Sequence, residues 1–389
     1  MDKFKGLIKY FMIVILILFA FGGITVFFAN RTYNAYETIA EIAITDAQSV
    51  EYLPYMNLLL KYSKDGASCI DANGEAIWTE SFVMKMPKAD VSGNYAAIAD
   101  LNGNEVYIFN DKGKVNNIPM PYKISDIAVA AQGVFVVILE GEKENYINLY
   151  DRTGDKISER QTTIDKSGYP MDIAISDDGK KLFTSYMHLE GVVVKNSLAA
   201  YNFGSVGQNE NADRLVGGYP FDSTIIPKVE FLDNNTVCAF SDDRFIIYAM
   251  KEKSSEKAII NFSSEIKSVV FNKKYVGAVF ENDVKESKID GKYEYVLEIY
   301  NTNGNKVLSQ GIDFEYDNIY MSDSEIIITG GAEVRIYTLK GKMKFNATLA
   351  KNVINLIPNG NSNKYILLYE SGAELIRLKY ETEENESKK

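Results

Sequence analysis

A unit of about 40 residues recurs along most of this 389-residue sequence. In each unit, two apolar segments joined by a short turn are followed by a polar turn that usually contains glycine, as in residues 58–78, 95–115 and 325–345. The residue that ends the second segment recurs every 37 to 52 positions: Ile70, Phe109, Tyr150, Tyr201, Tyr248, Tyr300, Tyr337 and Ile376. This spacing is typical of four-stranded propeller blades, so the eight markers predict eight blades.

Each pair of apolar segments has a further short strand on either side. Residues 126–131 and 267–273 precede their pairs, and residues 156–161 follow theirs. A four-stranded blade cannot bury both faces of its sheet alone, so the ring must close to form a core. The 26 Tyr and 20 Phe residues suit strands as well. The sequence therefore predicts an all-β fold, an eight-bladed β-propeller over residues 46–380, with seven blades as the alternative.

The two ends of the repeat region differ from its middle. The eighth repeat stops after its third strand, and residues 381–389 form an acidic tail that we predict to be disordered. The apolar residues 38–44 are a candidate for the missing fourth strand, which would close the ring. A helical stalk over residues 33–45 is the alternative, and it favours seven blades. Residues 30–45 are thus predicted as a linker or a closing strand.

The N-terminal segment has the composition of a membrane span. Residues 10–29 contain no charged side chain and, as a helix, are long enough to cross a hydrocarbon core of about 30 Å. Lys3, Lys5 and Lys9 precede the segment, so the positive-inside rule places residues 1–9 in the cytoplasm. The sequence predicts a single-pass plasma-membrane protein with one N-terminal transmembrane helix and an extracytoplasmic C-terminal domain.

A cleaved signal peptide is the alternative for the same segment. Ala20 and Gly22 are small residues near a possible cleavage site. The apolar run continues for several residues beyond that site, although a signal peptide does not need the extra length. This continuation favours an uncleaved signal-anchor.

Charge and cysteine content restrict the partners and the covalent chemistry. Without residues 1–31 the chain carries 38 basic and 52 acidic residues, a net charge of −14. Such a domain repels polyanions, so nucleic acid is not expected as a partner. Cys69 and Cys238 fall in blades on opposite sides of the predicted ring, too far apart for a disulfide. We predict that both are buried, unpaired thiols.

Two turns resemble those of known propeller families. Ile70, Asp71, Gly74 and Trp78 resemble the third-to-fourth strand turn of quinoprotein-type blades, and residues 176–179 resemble the first hairpin turn of a WD-repeat blade. In such turns Asp and Gly form the turn, and Trp packs between blades. The whole chain resembles an uncharacterised family of membrane-anchored β-propeller proteins from low-GC Gram-positive bacteria. This resemblance implies the fold and the location but no activity.

Catalytic and metal motifs are scarce in the sequence. His188 is the only histidine, which excludes multi-histidine zinc sites, and the common nucleotide-binding and nucleophile motifs do not occur. The adjacent carboxylates in residues 176–179 and 241–244 are interpreted as turn residues. No cofactor or metal is therefore expected. A carboxylate-dependent hydrolase or lyase that acts on a small ligand or sugar in the channel is the alternative function.

Long loops indicate a binding face. Residues 140–145, 187–197 and 281–294 are predicted loops between second and third strands, and residues 217–227 are a predicted connection between blades. In an antiparallel blade both loop classes emerge on one face, which we predict to bind a protein or envelope partner. The protein is thus expected to be a binding or scaffolding module at the cell envelope.

Two similar segments give the candidate binding residues. "GYPMD" (168–172) and "GYPFD" (218–222) are both interpreted as leading into first strands. Packing between blades is one explanation of their Tyr, Pro and Asp residues. The other explanation is binding at the rim of the central channel by the following residues: Tyr169, Asp172, Tyr219 and Asp222, with His188 nearby.

Overall fold

The computed structural model describes residues 32–42, 50–56, 58–71, 73–210, 212–360, 363–369 and 372–381. These residues form eight four-stranded antiparallel sheets, which confirms the all-β, eight-bladed propeller. The predicted transmembrane helix at 10–29, the cytoplasmic residues 1–9 and most of the acidic tail lie outside the described residues. Within the described ranges, no helix is long and apolar enough to cross a membrane.

Blades 1 to 4 follow one another along the chain, each starting with its innermost strand. Blade 1 consists of β2 (Glu51–Tyr55), β3 (Leu58–Ser63), β4 (Gly66–Ile70) and β5 (Ala76–Ser81). Blade 2 consists of β6 (Pro87–Ser92), β7 (Tyr95–Asp100), β8 (Glu105–Asn110) and β9 (Gly113–Pro119). Blade 3 consists of β10 (Lys123–Val129), β11 (Phe135–Glu140), β12 (Asn145–Tyr150) and β13 (Lys156–Thr162). Blade 4 consists of β14 (Tyr169–Ile175), β15 (Lys181–Glu190), β16 (Val193–Asn202), helix α1 (Ser205–Glu210) and β17 (Leu215–Phe221).

Blades 5 to 8 repeat this order, and the last blade borrows a strand from the N-terminal side. Blade 5 consists of β18 (Lys228–Asp233), β19 (Thr236–Phe240), β20 (Arg244–Met250) and β21 (Ser254–Asn261). Blade 6 consists of β22 (Ile266–Phe271), β23 (Tyr275–Glu281), helix α2 (Val284–Ser287), β24 (Tyr295–Asn301) and β25 (Lys306–Ile312). Blade 7 consists of β26 (Asn318–Met321), β27 (Glu325–Gly330), β28 (Glu333–Thr338) and β29 (Met343–Thr348). Blade 8 consists of β30 (Asn355–Pro358), β31 (Lys364–Tyr369), β32 (Gly372–Lys379) and β1 (Ala35–Ile42).

Strand β1 closes the ring. It pairs antiparallel with β32, from Ala35 opposite Lys379 to Ile42 opposite Ala373. This pairing confirms the predicted closing strand over its described part, and the alternative of a helical stalk over 33–45 is wrong there. The pairing also covers an edge of blade 8 that would otherwise be open to other strands.

The hydrophobic core lies between blades. One buried cluster combines Val106 and Ile108 of blade 2 with Phe135 and Val137 of blade 3. Equivalent clusters join the other blades, including blade 8 to blade 1. Second and third strands therefore carry long apolar runs, because both of their faces are covered by neighbouring sheets.

Antiparallel pairing gives the disc two different faces. The turn face carries the first-to-second and third-to-fourth strand turns, such as residues 93–94, 176–180 and 272–274. The elaborated face carries the second-to-third strand loops and the connections between blades, such as residues 141–144 and 282–294.

Trp78 and the cysteines lie where the sequence predicted. The indole of Trp78 in blade 1 stacks on Phe109 of blade 2, with ring centroids 4.9 Å apart and 2° between the ring planes. Cys69 and Cys238 are buried free thiols in blades 1 and 5. The interblade role predicted for the tryptophan is confirmed, and so are the unpaired cysteines.

We expect Trp78→Ala to lower the free energy of unfolding by about 3 kcal/mol, because it removes a large ring from an interblade stack. Trp78→Phe should keep the aromatic stack and lower the free energy of unfolding by less than half of that amount. Urea denaturation followed by circular dichroism measures both. Ile77→Ala is the matched control, since Ile77 is on the same strand and 48% exposed. An unchanged midpoint in Trp78→Ala would contradict the interblade role.

Candidate functional site

The inner strands of the eight blades surround a central cavity of about 920 Å³. Its wall reaches turn-face residues such as Gly93, Asn272 and Gly360, so the cavity opens through the turn face. A cavity of this volume is large enough for a small organic molecule or a protein side chain.

One side of the cavity is charged. Side chains alternate along a strand, so residues two apart on the same inner strand, such as Lys88 and Asp90 on β6 or Lys228 and Glu230 on β18, share a face. The inner strands of four successive blades contribute six charged residues to the wall: Lys88, Asp90, Asp126, Asp172, Lys228 and Glu230. We call these six residues the charged arc.

Two aspartates of the charged arc bind backbone amides of the next blade. Asp90 accepts a hydrogen bond from the N–H of Val129 at 2.7 Å, and Asp172 accepts one from the N–H of Val229 at 2.7 Å. Each bond links one inner strand to the neighbouring inner strand, and the two bonds lie two blades apart in the ring. The same device therefore fixes both carboxylates against the cavity wall.

The other members of the charged arc form ion pairs. Lys88 pairs with Asp126 of the neighbouring blade, and Lys228 lies 3.3 Å from Glu230 on its own strand. The described part of the chain holds no group of three or more His, Cys, Asp or Glu side chains arranged to bind a metal ion.

The cavity wall shifts the protonation of these groups. Burial raises the pKa of Asp90 to about 7. Burial, together with the charge of Asp126, raises the pKa of Asp172 to about 7. Burial also raises the pKa of Glu230 against the opposing charge of Lys228. Burial acts to lower the pKa of Lys228, but the charges of Glu230 and Asp172 outweigh it and raise that pKa. The net negative charge of the charged arc therefore changes with pH near neutrality, as Asp90 and Asp172 gain or lose a proton.

The opposite side of the cavity carries more apolar side chains. Blade 7 adds the carboxyl groups of Asp323 and Glu325 to this side. Blades 7, 8 and 1 also contribute Tyr320, Met321, Pro358, Pro54 and Met56 to the wall. We call these five residues the apolar arc. Burial raises the pKa of Tyr320, so its phenol is neutral at physiological pH. The cavity thus has one side lined mainly by charged residues and one side where the apolar arc lies beside two further carboxyl groups.

Asp177 bridges the mouth of the cavity on the turn face. Its carboxylate accepts a hydrogen bond from Ser92 of blade 2 at 2.6 Å and pairs with Lys273 of blade 6 at 3.1 Å. Burial acts to raise the pKa of Asp177, but these two partners outweigh it and lower the pKa. Blades 2 and 6 are opposite each other in an eight-bladed ring, so the three side chains span the opening.

The sequence prediction missed this role of Asp177. Residues 176–179 do form a turn, in which Ser176 donates to Asp178 at 2.6 Å and Gly179 has a φ of +66°. Asp178 supplies the turn's side-chain hydrogen bonds, so Asp177 can reach across the opening. The sequence signal was the pair Asp177 and Asp178, because a turn of this kind needs only one aspartate side chain.

Asp172 is the only one of the five predicted binding residues that lines the cavity. Tyr169 starts the same strand and donates to Glu140 of blade 3 at 2.5 Å, while burial raises its pKa to about 12. The imidazole Nε2 of His188 is 2.6 Å from the Ser197 hydroxyl, and burial lowers the pKa of His188. Tyr169 and His188 therefore lie close together at the elaborated face. Their role in binding stays a prediction.

The interpretation of residues 218–222 as leading into a first strand is wrong. These residues belong to the outermost strand of blade 4 and its end. Tyr219 packs on Tyr248 of blade 5, with ring centroids 4.5 Å apart. Asp222 is an exposed residue that pairs with Lys195 at 3.1 Å. Tyr219 and Asp222 thus lie far out along the blade, away from the channel rim.

The segments predicted as long loops do emerge on the elaborated face, but their boundaries differ from the prediction. The connection over 141–144 is short, and the loop over 282–294 contains α2. The blade connection predicted at 217–227 shrinks to 222–227 because β17 extends to Phe221. The segment predicted as a loop over 187–197 is mostly strand.

That segment forms a β-hairpin that projects from blade 4. Strands β15 and β16 stay paired up to Glu190 opposite Val193, whereas the flanking strands end at the level of Met187 and Asn196. The projecting end exposes four apolar side chains, which we call the apolar tip: Leu189 (54% exposed), Val192 (98%), Val193 (50%) and Val194 (40%).

The sequence profile of a family of unknown function (DUF5711) matches residues 29–378. The matched region includes the closing strand and all eight blades. The chain belongs to this family. No functionally curated protein matches it.

Solved propellers resemble this DUF5711 chain in fold. Saccharomyces cerevisiae Sqt1 superposes with a TM-score of 0.56 and 8% identity, covering 90% of this chain and 100% of Sqt1. Chaetomium thermophilum Sqt1, bound to the N-terminus of the ribosomal protein L10, superposes with a TM-score of 0.58 and 10% identity. The match covers 89% of this chain and 100% of that Sqt1 chain. The Neurospora crassa Pan2 WD40 domain superposes with a TM-score of 0.44 and 10% identity, and the match covers 76% of this chain and 89% of that domain. At such identities the likeness concerns the fold alone.

Proposed function

We propose that this DUF5711 propeller is a membrane-anchored, extracytoplasmic module that binds a protein partner at the cell envelope through its elaborated face. The apolar tip carries the proposal. Its four side chains are exposed on a hairpin whose two strands stay paired to its end. Clustered apolar side chains in water cost free energy until a partner covers them, so they mark interaction sites.

The path of the chain supports the orientation of this face. Tyr33 donates its N–H to the carbonyl of Lys344 at 2.7 Å, and Ala35 starts β1 at the turn-face end of β32. The proposed membrane anchor at 10–29 ends three residues before Thr32, a distance of at most about 10 Å. The anchor therefore holds the turn face nearer the bilayer, and the apolar tip projects away from it.

Two further points support a polypeptide partner. With the proposed anchor beside the turn face, the tip would lie on the side of the disc away from the bilayer, where a protein can reach it. A solved propeller of similar fold, Sqt1, was captured bound to the N-terminus of a ribosomal protein. The resemblance to anchored propellers of low-GC Gram-positive bacteria is consistent with an envelope location.

We expect Leu189→Ser, Val192→Ser and Val193→Ser together to reduce capture of the partner at least tenfold in a proximity-crosslinking pull-down from intact cells. Loss of apolar contact area explains the effect. The control changes three exposed apolar residues on outermost strands: Ile157→Ser, Ile259→Ser and Val307→Ser. The control should capture the same proteins as the parent.

Equal capture by parent and tip variant, at equal surface expression, would refute the apolar tip as the binding site. Capture that is lost in the control variant as well would point to a general defect rather than a site. Binding of the tip to lipid vesicles without a captured protein would also contradict the proposal.

A further inference from the structure

We propose that the central cavity binds an organic cation with an apolar body, such as an arylalkylammonium group. The cavity combines two walls that such a ligand needs at once. The charged arc lies on blades 2 to 5, and the apolar arc lies on blades 7, 8 and 1. This site is separate from the elaborated face, so the proposal does not depend on the protein-binding function.

The charge of the cavity favours a cation over an anion. The charged arc holds four carboxylates and two ammonium groups, and both lysines already pair with a carboxylate of the arc, Lys88 with Asp126 and Lys228 with Glu230. Asp90 and Asp172 have no ion-pair partner within 4 Å among the described residues, and each accepts a hydrogen bond from a backbone N–H of the next blade. A ligand ammonium would therefore add the missing positive charge in a poorly solvated place, where charge-assisted hydrogen bonds are strong.

The apolar arc selects the remainder of the ligand. Tyr320 and Pro358 offer an aromatic ring and a ring of methylenes across the channel from the carboxylates. A hydrated inorganic ion gains nothing from such a wall, whereas an aryl or alkyl body buries apolar area there. The volume of about 920 Å³ exceeds what a single small amine occupies, so a basic side chain with its apolar neighbour also has room.

Two sources supply this chemistry: a free amphipathic amine, and a lysine next to an aromatic residue in a peptide. Calorimetric titration of the full chain in detergent separates them, with 2-phenylethylamine and acetyl-Phe-Lys-amide as probes. The neutral matched compound is 2-phenylethanol, which has the same aryl body without the ammonium. Detergent partitioning is subtracted with protein-free micelles.

We expect saturable one-to-one binding of at least one ammonium probe and at least tenfold weaker binding of 2-phenylethanol. The double variant Asp90→Asn, Asp172→Asn should bind the ammonium probe at least tenfold more weakly. Each amide side chain still accepts the backbone hydrogen bond but lacks the negative charge. Asp222→Asn, on the elaborated face, is the matched control and should bind like the parent.

Tighter binding of the peptide assigns the site to a partner's basic side chain, and tighter binding of the free amine assigns it to a small molecule. Equal binding of the amine and the alcohol would overturn the proposal, and so would the absence of saturable binding to the folded parent. These parental comparisons hold even if the double variant fails to fold.

Discussion

A chain that begins at residue 50 is expected to lose cooperative unfolding, whereas a chain that begins at residue 32 should keep it. Strand β1 is the fourth strand of blade 8, and Ile42 packs in one buried cluster with Leu59 and Ile70 of blade 1. Without β1, blade 8 exposes the edge of β32 and that cluster opens to water. Propeller stability depends on a closed ring of neighbouring interfaces, so the loss should spread beyond blade 8.

Thermal denaturation followed by circular dichroism and light scattering tests this expectation. A synthetic peptide of residues 32–43, added in excess to the shortened chain, should restore a cooperative transition because it supplies the missing strand in trans. Glu37→Ala in the longer chain removes the exposed ion pairs of β1 with Arg377 and Lys379 without removing the strand, and it should melt nearly like the parent. A shortened chain that melts at the parent's temperature would show that β1 does not close the ring.

The repeat period was enough to predict the architecture. Eight markers spaced like propeller blades gave eight blades, and an incomplete last repeat with an unused apolar segment at 38–44 pointed to β1. These inferences succeeded because ring closure is a global requirement that leaves a trace in the number and spacing of strands. They depended little on the exact register of any strand.

The candidate site was harder to predict because it depends on radial position within a blade. "GYPMD" (168–172) and "GYPFD" (218–222) are nearly identical, yet the first belongs to an inner strand and the second to an outermost strand. Side chains alternate in the same way along both strands, and both strands follow a polar segment. The local sequence pattern therefore does not distinguish an inner strand from an outermost one. Asp172 consequently lies on the cavity wall, whereas Tyr219 packs between blades.

The charged arc escaped prediction for a related reason. Asp90, Asp126 and Glu230 come from three blades and are far apart in the sequence, with no shared spacing that marks them as a group. They meet only because inner strands of successive blades lie side by side around the channel. A search for charged residues in the middle of each first strand could have found them, since such positions are normally apolar or small in a buried strand.

The buried group around Lys344 carries the second large expected effect. Lys344 pairs with the carboxylate of Glu325, and the Tyr365 hydroxyl, 2.8 Å from the lysine, donates to Glu325 at 2.6 Å. The three side chains join blades 7 and 8 close to strand β1. We expect Lys344→Met to lower the free energy of unfolding by about 3 to 5 kcal/mol at pH 7, since it leaves a buried carboxylate without its counter-charge.

A double-variant cycle identifies the cause of that loss. Glu325→Gln combined with Lys344→Met should recover much of the stability at pH 7, because the amide still accepts the Tyr365 hydrogen bond and carries no charge. Lys156→Met is the matched control, since Lys156 and its partner Glu159 are both exposed, and it should unfold nearly like the parent. A deficit that is additive in the double variant would mean that lost packing, rather than an unpaired buried charge, destabilises the ring.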